Sequence, residues 1–166
     1  MSLRSLLAPS VLLALLACGP SDPEVASTPE TPPGLVVENP TGPRPFHHDM
    51  GVLELGQVGH HVFEVRNRAS VPATITRVQS DCGCTVPRLL VRLPKGGVRE
   101  GSLHGDGPVI VVPPDAVLEV AVQLDTEAAQ SRNAHRLYRV TALTDLPQSA
   151  YLQFELTAFV DAPLQI

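Results

Sequence analysis

Leu118-Glu119-Val120-Ala121-Val122-Gln123-Leu124 sets a branched aliphatic side chain at every second position. A strand alternates its side chains between two faces. Leu118, Val120, Val122 and Leu124 therefore share one face, and Glu119, Ala121 and Gln123 take the other. This is the pattern of a half-buried strand. The same period runs through Tyr138, Val140 and Ala142 against Arg139 and Thr141. It runs again through Leu152, Phe154, Leu156, Ala158 and Val160 against Gln153, Glu155 and Thr157. In His61–Arg66, Phe63 and Val65 oppose Glu64 and Arg66. Shorter strands are expected at Leu35–Glu38, Met50–Leu55, Thr74–Val78, Val86–Leu93 and Val109–Val112. Pro87 confines the start of its strand to a sheet edge, because proline cannot donate to a ladder. Pro94–Gly107 holds five glycines and reads as a loop. Asp125–Asn133 admits one helical turn, and no long amphipathic helix appears. A parallel α/β sheet needs crossover helices. The expectation is an all-β, immunoglobulin-like antiparallel sandwich of about seven to nine strands.

Composition supports that reading. Of 166 residues 43% are hydrophobic, enough for a core, and all six aromatic residues lie between Phe46 and Phe159. Net charge is −5 and Lys95 is the one lysine. Nucleic-acid binding requires clustered Lys and Arg, so that class is excluded.

The N-terminal stretch reads as targeting sequence. Arg4 precedes the apolar run Leu6–Leu16, which is too short to span a bilayer comfortably. Leu15-Leu16-Ala17-Cys18 resembles the bacterial lipoprotein cleavage box. That resemblance implies a signal peptide at 1–17 and a lipidated Cys18 at the membrane. An ordinary secretory signal with an incidental cysteine is the competing reading. Gly19 stands where an aspartate would imply inner-membrane retention, so outer-membrane sorting, facing the periplasm, is expected. Residues 18–33 are rich in Pro, Ser and Thr and cannot bury enough apolar surface to fold. They form a tether with a reach of roughly 45 Å, leaving 34–166 as the sandwich domain. Loss of 1–17 removes Arg4 and no acid, which leaves 11 basic against 17 acidic residues and a charge of −6.

The chemistry centres on Ser80-Asp81-Cys82-Gly83-Cys84-Thr85. Were the preceding strand to run on, the cysteine Cα atoms would lie roughly 6.6 Å apart, near the upper limit for a disulfide. Gly83 is expected to let the backbone bend. Three readings stay open for Cys82 and Cys84. One is a redox-active disulfide or dithiol in an oxidising compartment. Another is a pair of metal ligands, most plausibly for Cu(I), since soft thiolates favour it. The third is a structural ring. Asp81 beside the pair disfavours thiolate formation.

His47-His48 and His60-His61 are adjacent pairs whose members point to opposite faces of a strand, so neither pair chelates alone. His61 shares a face with Phe63 and Val65, and a backbone hydrogen bond is expected to satisfy it. His104 and Asp106 read as solvated loop. No nucleophile elbow or phosphate-cradling loop is present in the sequence.

Val71–Val78 followed by Ser80–Thr85, with Asp49–Gly56 and His61–Asn67 upstream, resembles the bacterial domain-of-unknown-function 1573 family. The resemblance covers roughly residues 35 to 160. It implies an immunoglobulin-like sandwich, often secreted or lipid-anchored, with no established activity. Met50 stands where an aromatic is usual, Pro113-Pro114-Asp115-Ala116 replaces a Pro-Gly turn, and 88–108 is longer than usual. Together these readings predict a non-enzymatic, lipid-anchored envelope module that binds or scaffolds a protein partner and needs no cofactor. The alternative is a copper-binding or thiol-redox lipoprotein using Cys82 and Cys84.

Overall fold

Side-chain alternation becomes two stacked layers in the computed structural model, which describes residues 34–103, 109–129 and 132–162. The leader, Cys18 with its tether, and His104 with Asp106 lie outside the described residues. The strands are β1 Leu35–Val37, β2 His47–Glu54, β3 Val58–Asn67, β4 Ala73–Ser80 and β5 Thr85–Arg92. They continue as β6 Val98–Glu100, β7 Ile110–Val112, β8 Val117–Asp125, β9 Ala134–Thr144 and β10 Tyr151–Asp161. One sheet has the order β1-β3-β8-β5-β6 and the other β2-β10-β9-β4-β7. The architecture is an all-β, immunoglobulin-like sandwich. Among the described residues no helix is long and apolar enough to cross a membrane.

The inner faces are those the alternation marks. Leu118, Val120, Val122 and Leu124 are all at most 1% exposed. Phe63 of the first sheet meets Phe154 of the second with ring centroids 5.1 Å apart, and Phe46 packs edge-on to Phe154 at 5.5 Å. The two layers lock at this cluster.

Three local expectations are amended. The stretch 94–107 contains a strand, β6, which pairs with Leu90–Arg92 of β5. Gly96 and Gly97, at φ 91° and 95°, close that hairpin in the left-handed region that favours glycine. Second, β2 runs parallel to β10, whereas the other pairings are antiparallel. These strands are far apart in sequence, so no hairpin dictates their direction. Third, β5 is not an outermost strand. Pro87 is tolerated because β6 covers only Leu90–Arg92. The Leu89 carbonyl accepts from Gly101 N–H on the outer side. By the strand period, Pro87's missing donor faces that same side, beyond the end of β6. The expected helical turn is present, since Ala129 N–H donates to the Asp125 carbonyl at 3.1 Å.

Candidate functional site: the cleft at the Cys-Gly-Cys turn

β4 belongs to the second sheet and β5 to the first, so the chain crosses between layers at Asp81–Cys84. The strand stops at Ser80, and the turn brings the Cys82 and Cys84 Cα atoms to 5.1 Å. They are joined by a disulfide. Thr85 N–H and the Thr85 hydroxyl both donate to the Cys82 carbonyl, at 3.1 and 3.0 Å. The Ser80 hydroxyl donates to the Thr85 hydroxyl beside it, and its oxygen lies 2.8 Å from the same carbonyl. Cys84 N–H donates to Cys82 Sγ at 3.0 Å. Cys84 is buried, while Cys82 is half-buried at the surface. Gly83 does not have a left-handed φ, and a Cβ placed on it meets nothing within 4 Å. The turn therefore does not depend on glycine, contrary to the expectation from sequence. Open space lies over the disulfide instead.

A bridge two residues apart removes little chain entropy, about 1.5 kcal/mol by loop length. It is a weak staple for a fold already built on two five-stranded sheets. It also fixes the state of the candidate metal ligands. A disulfide sulfur offers no thiolate, so any Cu(I) chemistry belongs to the reduced pair. Among the described residues no group of three or more His, Cys, Asp or Glu side chains is placed to hold a metal ion.

Beside the turn lies an open cleft of about 580 Å³. Asp81, Cys82, Gly83 and Cys84 of the turn, Arg136, Leu137 and Tyr138 of β9, and Ala128 line it. Tyr138 is 6% exposed, and its hydroxyl has no hydrogen-bond partner among the described residues. Buried polar groups are normally paired. Asn67, for example, donates to the carbonyls of Val71 and Val112 and accepts from Ala69 N–H. Burial raises the Tyr138 pKa, Arg136 lowers it and Asp81 raises it further. The phenol stays protonated, as a donor without an acceptor.

The second unpaired buried atom among the described residues is His61 Nε2. Among the described residues the expected backbone bond to His61 is absent. Each histidine pair instead gives one ring to a stack, His48 on His61, with centroids 3.7 Å apart and planes 7° from parallel. Phe63 meets His61 edge-on at 4.5 Å. Burial, and then the neighbouring His48, push the His61 pKa down to about 4. Face-to-face rings direct their nitrogens sideways, so the stack acts as packing at the margin of the core, against Phe63. His47 Nε2 lies 3.2 Å from the Thr157 hydroxyl, and His135 stands edge-on to Phe159.

Sequence reasoning singled out Cys82 and Cys84, which the structure places at this cleft, and did not single out Tyr138, which lines it too. The available signal was a single phenol on an otherwise aliphatic face.

Residues 45–100 match the profile of a family described as "Protein of unknown function (DUF1573)". That span runs through β2 to β6 and includes the Cys-Gly-Cys turn. No curated protein matches the chain. Among solved structures, a family 123 glycoside hydrolase from Clostridium perfringens is similar at 10% identity and a TM-score of 0.52, over 73% of this chain and 24% of that one. A protein of unknown function from Porphyromonas gingivalis W83 is 16% identical, with a TM-score of 0.48, over 69% and 44%. The ASH / PapD-like domain of human CEP192 is 12% identical, with a TM-score of 0.47, over 87% and 99%. The chain thus spans about a quarter of the hydrolase and under half of the Porphyromonas protein. At 10% identity, the likeness to the hydrolase is one of fold alone.

Proposed function

We propose that this chain is a non-enzymatic binding or scaffolding module of the bacterial cell envelope. Cys18, lipidated, anchors it to the membrane, with the outer membrane and a periplasm-facing domain as its address. Residues 18–33 carry the domain clear of the lipid surface. The observation that carries the binding role is the cleft at the Cys-Gly-Cys turn, lined by Tyr138, whose buried hydroxyl has no partner among the described residues. An unpaired buried hydroxyl costs about 1–3 kcal/mol, and a ligand supplying an acceptor relieves that cost. The hydroxyl is closed to water as the cleft stands, so an acceptor reaches it as ligand displaces side chains at the mouth. The disulfide supports the address, because such bonds persist in oxidising compartments such as the periplasm.

The test is capture from detergent-solubilised envelopes with the full chain and with Tyr138→Phe. A specific partner retained by the first and weakened in the second supports the role. No specific partner for either overturns it. Incorporation of labelled fatty acid that is lost in Cys18→Ser tests the anchor.

One observation favours a second reading. Cys82 is half-buried and lines the cleft, the side from which a partner's thiolate would approach. A partner dithiol would reduce the bridge, passing two electrons and two protons to Cys82 and Cys84 while closing its own disulfide. The reduced pair would then be the Cu(I) ligand set. Thiol titration and Cu(I) competition on wild type and on Cys82→Ser/Cys84→Ser decide it. Unchanged metal uptake and redox potential in the variant end that reading.

A further inference from the structure

The same cleft carries a feature that names the partner's chemistry, and the inference rests on the binding role proposed above. On one side β9 pairs with β10 from Ala134 to Leu143. On the other, β4 covers only Val140–Thr144. Asp81 ends that pairing. Its N–H donates to the Arg139 carbonyl at 3.0 Å, but its side-chain Oδ1, in place of its own carbonyl, accepts Arg139 N–H at 2.9 Å. The chain then turns away into the disulfide. Backbone groups two residues apart in a strand point the same way. The N–H and C=O of Leu137 and His135 therefore face the side that Arg139 faces. Among the described residues no strand lies beside them there.

This opening differs from the outer edges of the sandwich. β1, β6 and β7 are edge strands of three residues each. β2, the remaining edge, has a register break against β10 between Thr157 and Phe159. Short strands and bulges are ordinary protections against unwanted pairing. His135–Leu137 has neither, and it belongs to an eleven-residue strand paired along its other side. Leu137 also lines the cleft, next to the orphaned Tyr138.

We propose that an extended peptide segment of a partner protein binds as an added strand along His135–Leu137, continuing the line that β4 leaves at Asp81, with a side chain directed into the cleft. Strand-spaced N–H and C=O groups are matched by another main chain, the mode of strand addition. The protein's own tether is a poor occupant. Pro20, Pro23, Pro29, Pro32 and Pro33 have no N–H to give.

The probe is the best-enriched peptide from a phage-displayed random dodecapeptide library, selected on the immobilised full chain in detergent. Amide exchange at Leu137 and His135 is expected to slow by about tenfold or more when that peptide is added. N-methylation of alternate peptide residues, which keeps every side chain, is expected to weaken binding by about tenfold or more, as is Leu137→Pro. Leu137→Pro removes an outward donor together with the cleft-lining leucine side chain, and the N-methylated peptide, which keeps every side chain, isolates the main-chain contribution and serves if that variant folds poorly. Failure to enrich a peptide, indifference to N-methylation, or unprotected amides in the complex overturns the proposal. So does protection of both amides in the free protein, which would mean that the chain covers its own edge. If envelope capture still recovers a partner that Tyr138→Phe weakens, only the strand-addition inference falls. If that capture fails as well, the binding role falls with it.

Discussion

Acid should weaken the fold through His61. In the folded protein burial, and then His48 stacked on the ring, hold its pKa down at about 4 against an ordinary 6.5. The folded value is the lower one. Above about pH 6.5 both folded and unfolded states are neutral, and the ring adds no pH dependence. As the pH falls from about 6.5 to about 4, the unfolded chain takes up a proton that the folded protein refuses, so stability is lost across that window. At about 1.36 kcal/mol per pKa unit the full difference is about 3 kcal/mol. Solvent around a partly exposed ring reduces it to about 2 kcal/mol. His48 shifts the same way, through burial, with Asp49 pulling upward and His47 downward. The perturbation is His61→Phe, which keeps a ring between His48 and Phe63 and removes the titrating nitrogen. Urea unfolding of variant and wild type from about pH 7.5 to about pH 4.5 isolates the effect. Carboxylates held low by their hydrogen bonds, such as Asp49 and Asp145, are common to both proteins and cancel. The variant should gain about 2 kcal/mol on wild type across the range. Parallel stability curves would refute the reasoning.

Phe63→Ala and Phe154→Ala should each cost about 3–5 kcal/mol in urea unfolding, since both rings are 1% exposed where the sheets meet; a loss below about 1 kcal/mol would put the wrong face inside. Tyr138→Phe removes a buried hydroxyl without a partner, so melting should hold steady or rise while capture of a partner weakens, whereas a loss above about 1 kcal/mol would show that the hydroxyl is paired. Gly83→Ala should change stability by less than about 0.5 kcal/mol, because its Cβ meets open space; a larger loss would show a constrained turn.

The layers were legible because burial repeats every second residue. Leu118–Leu124 and Leu152–Val160 carry that period without interruption, and their inward sets are the buried sets. β6 was not legible, because Val98, Arg99 and Glu100 are all exposed and three residues leave no apolar alternation. The parallel β2–β10 pair escaped for another reason. Direction between distant strands is set by the path of the whole chain, and local pattern does not record it. The site divides along the same line. The cysteine pair was visible in Cys82-Gly83-Cys84, but its bonded state was left open between three readings, because the 5.1 Å approach depends on β4 stopping at Ser80. The His48–His61 stack and the orphaned Tyr138 hydroxyl arise only when strands from two sheets are brought together. The bare edge at His135–Leu137 is a difference in length between neighbouring strands, which alternation within either one does not report.

A photoreactive phenylalanine analogue at Leu137, with a second copy of the experiment at exposed Val52 on the β2 edge, puts the central claim to its most direct test in intact envelopes. Irradiation should attach a discrete protein partner at position 137 and none at 52. No adduct at 137, or the same adducts at both positions, would contradict a binding site at the disulfide-rimmed cleft.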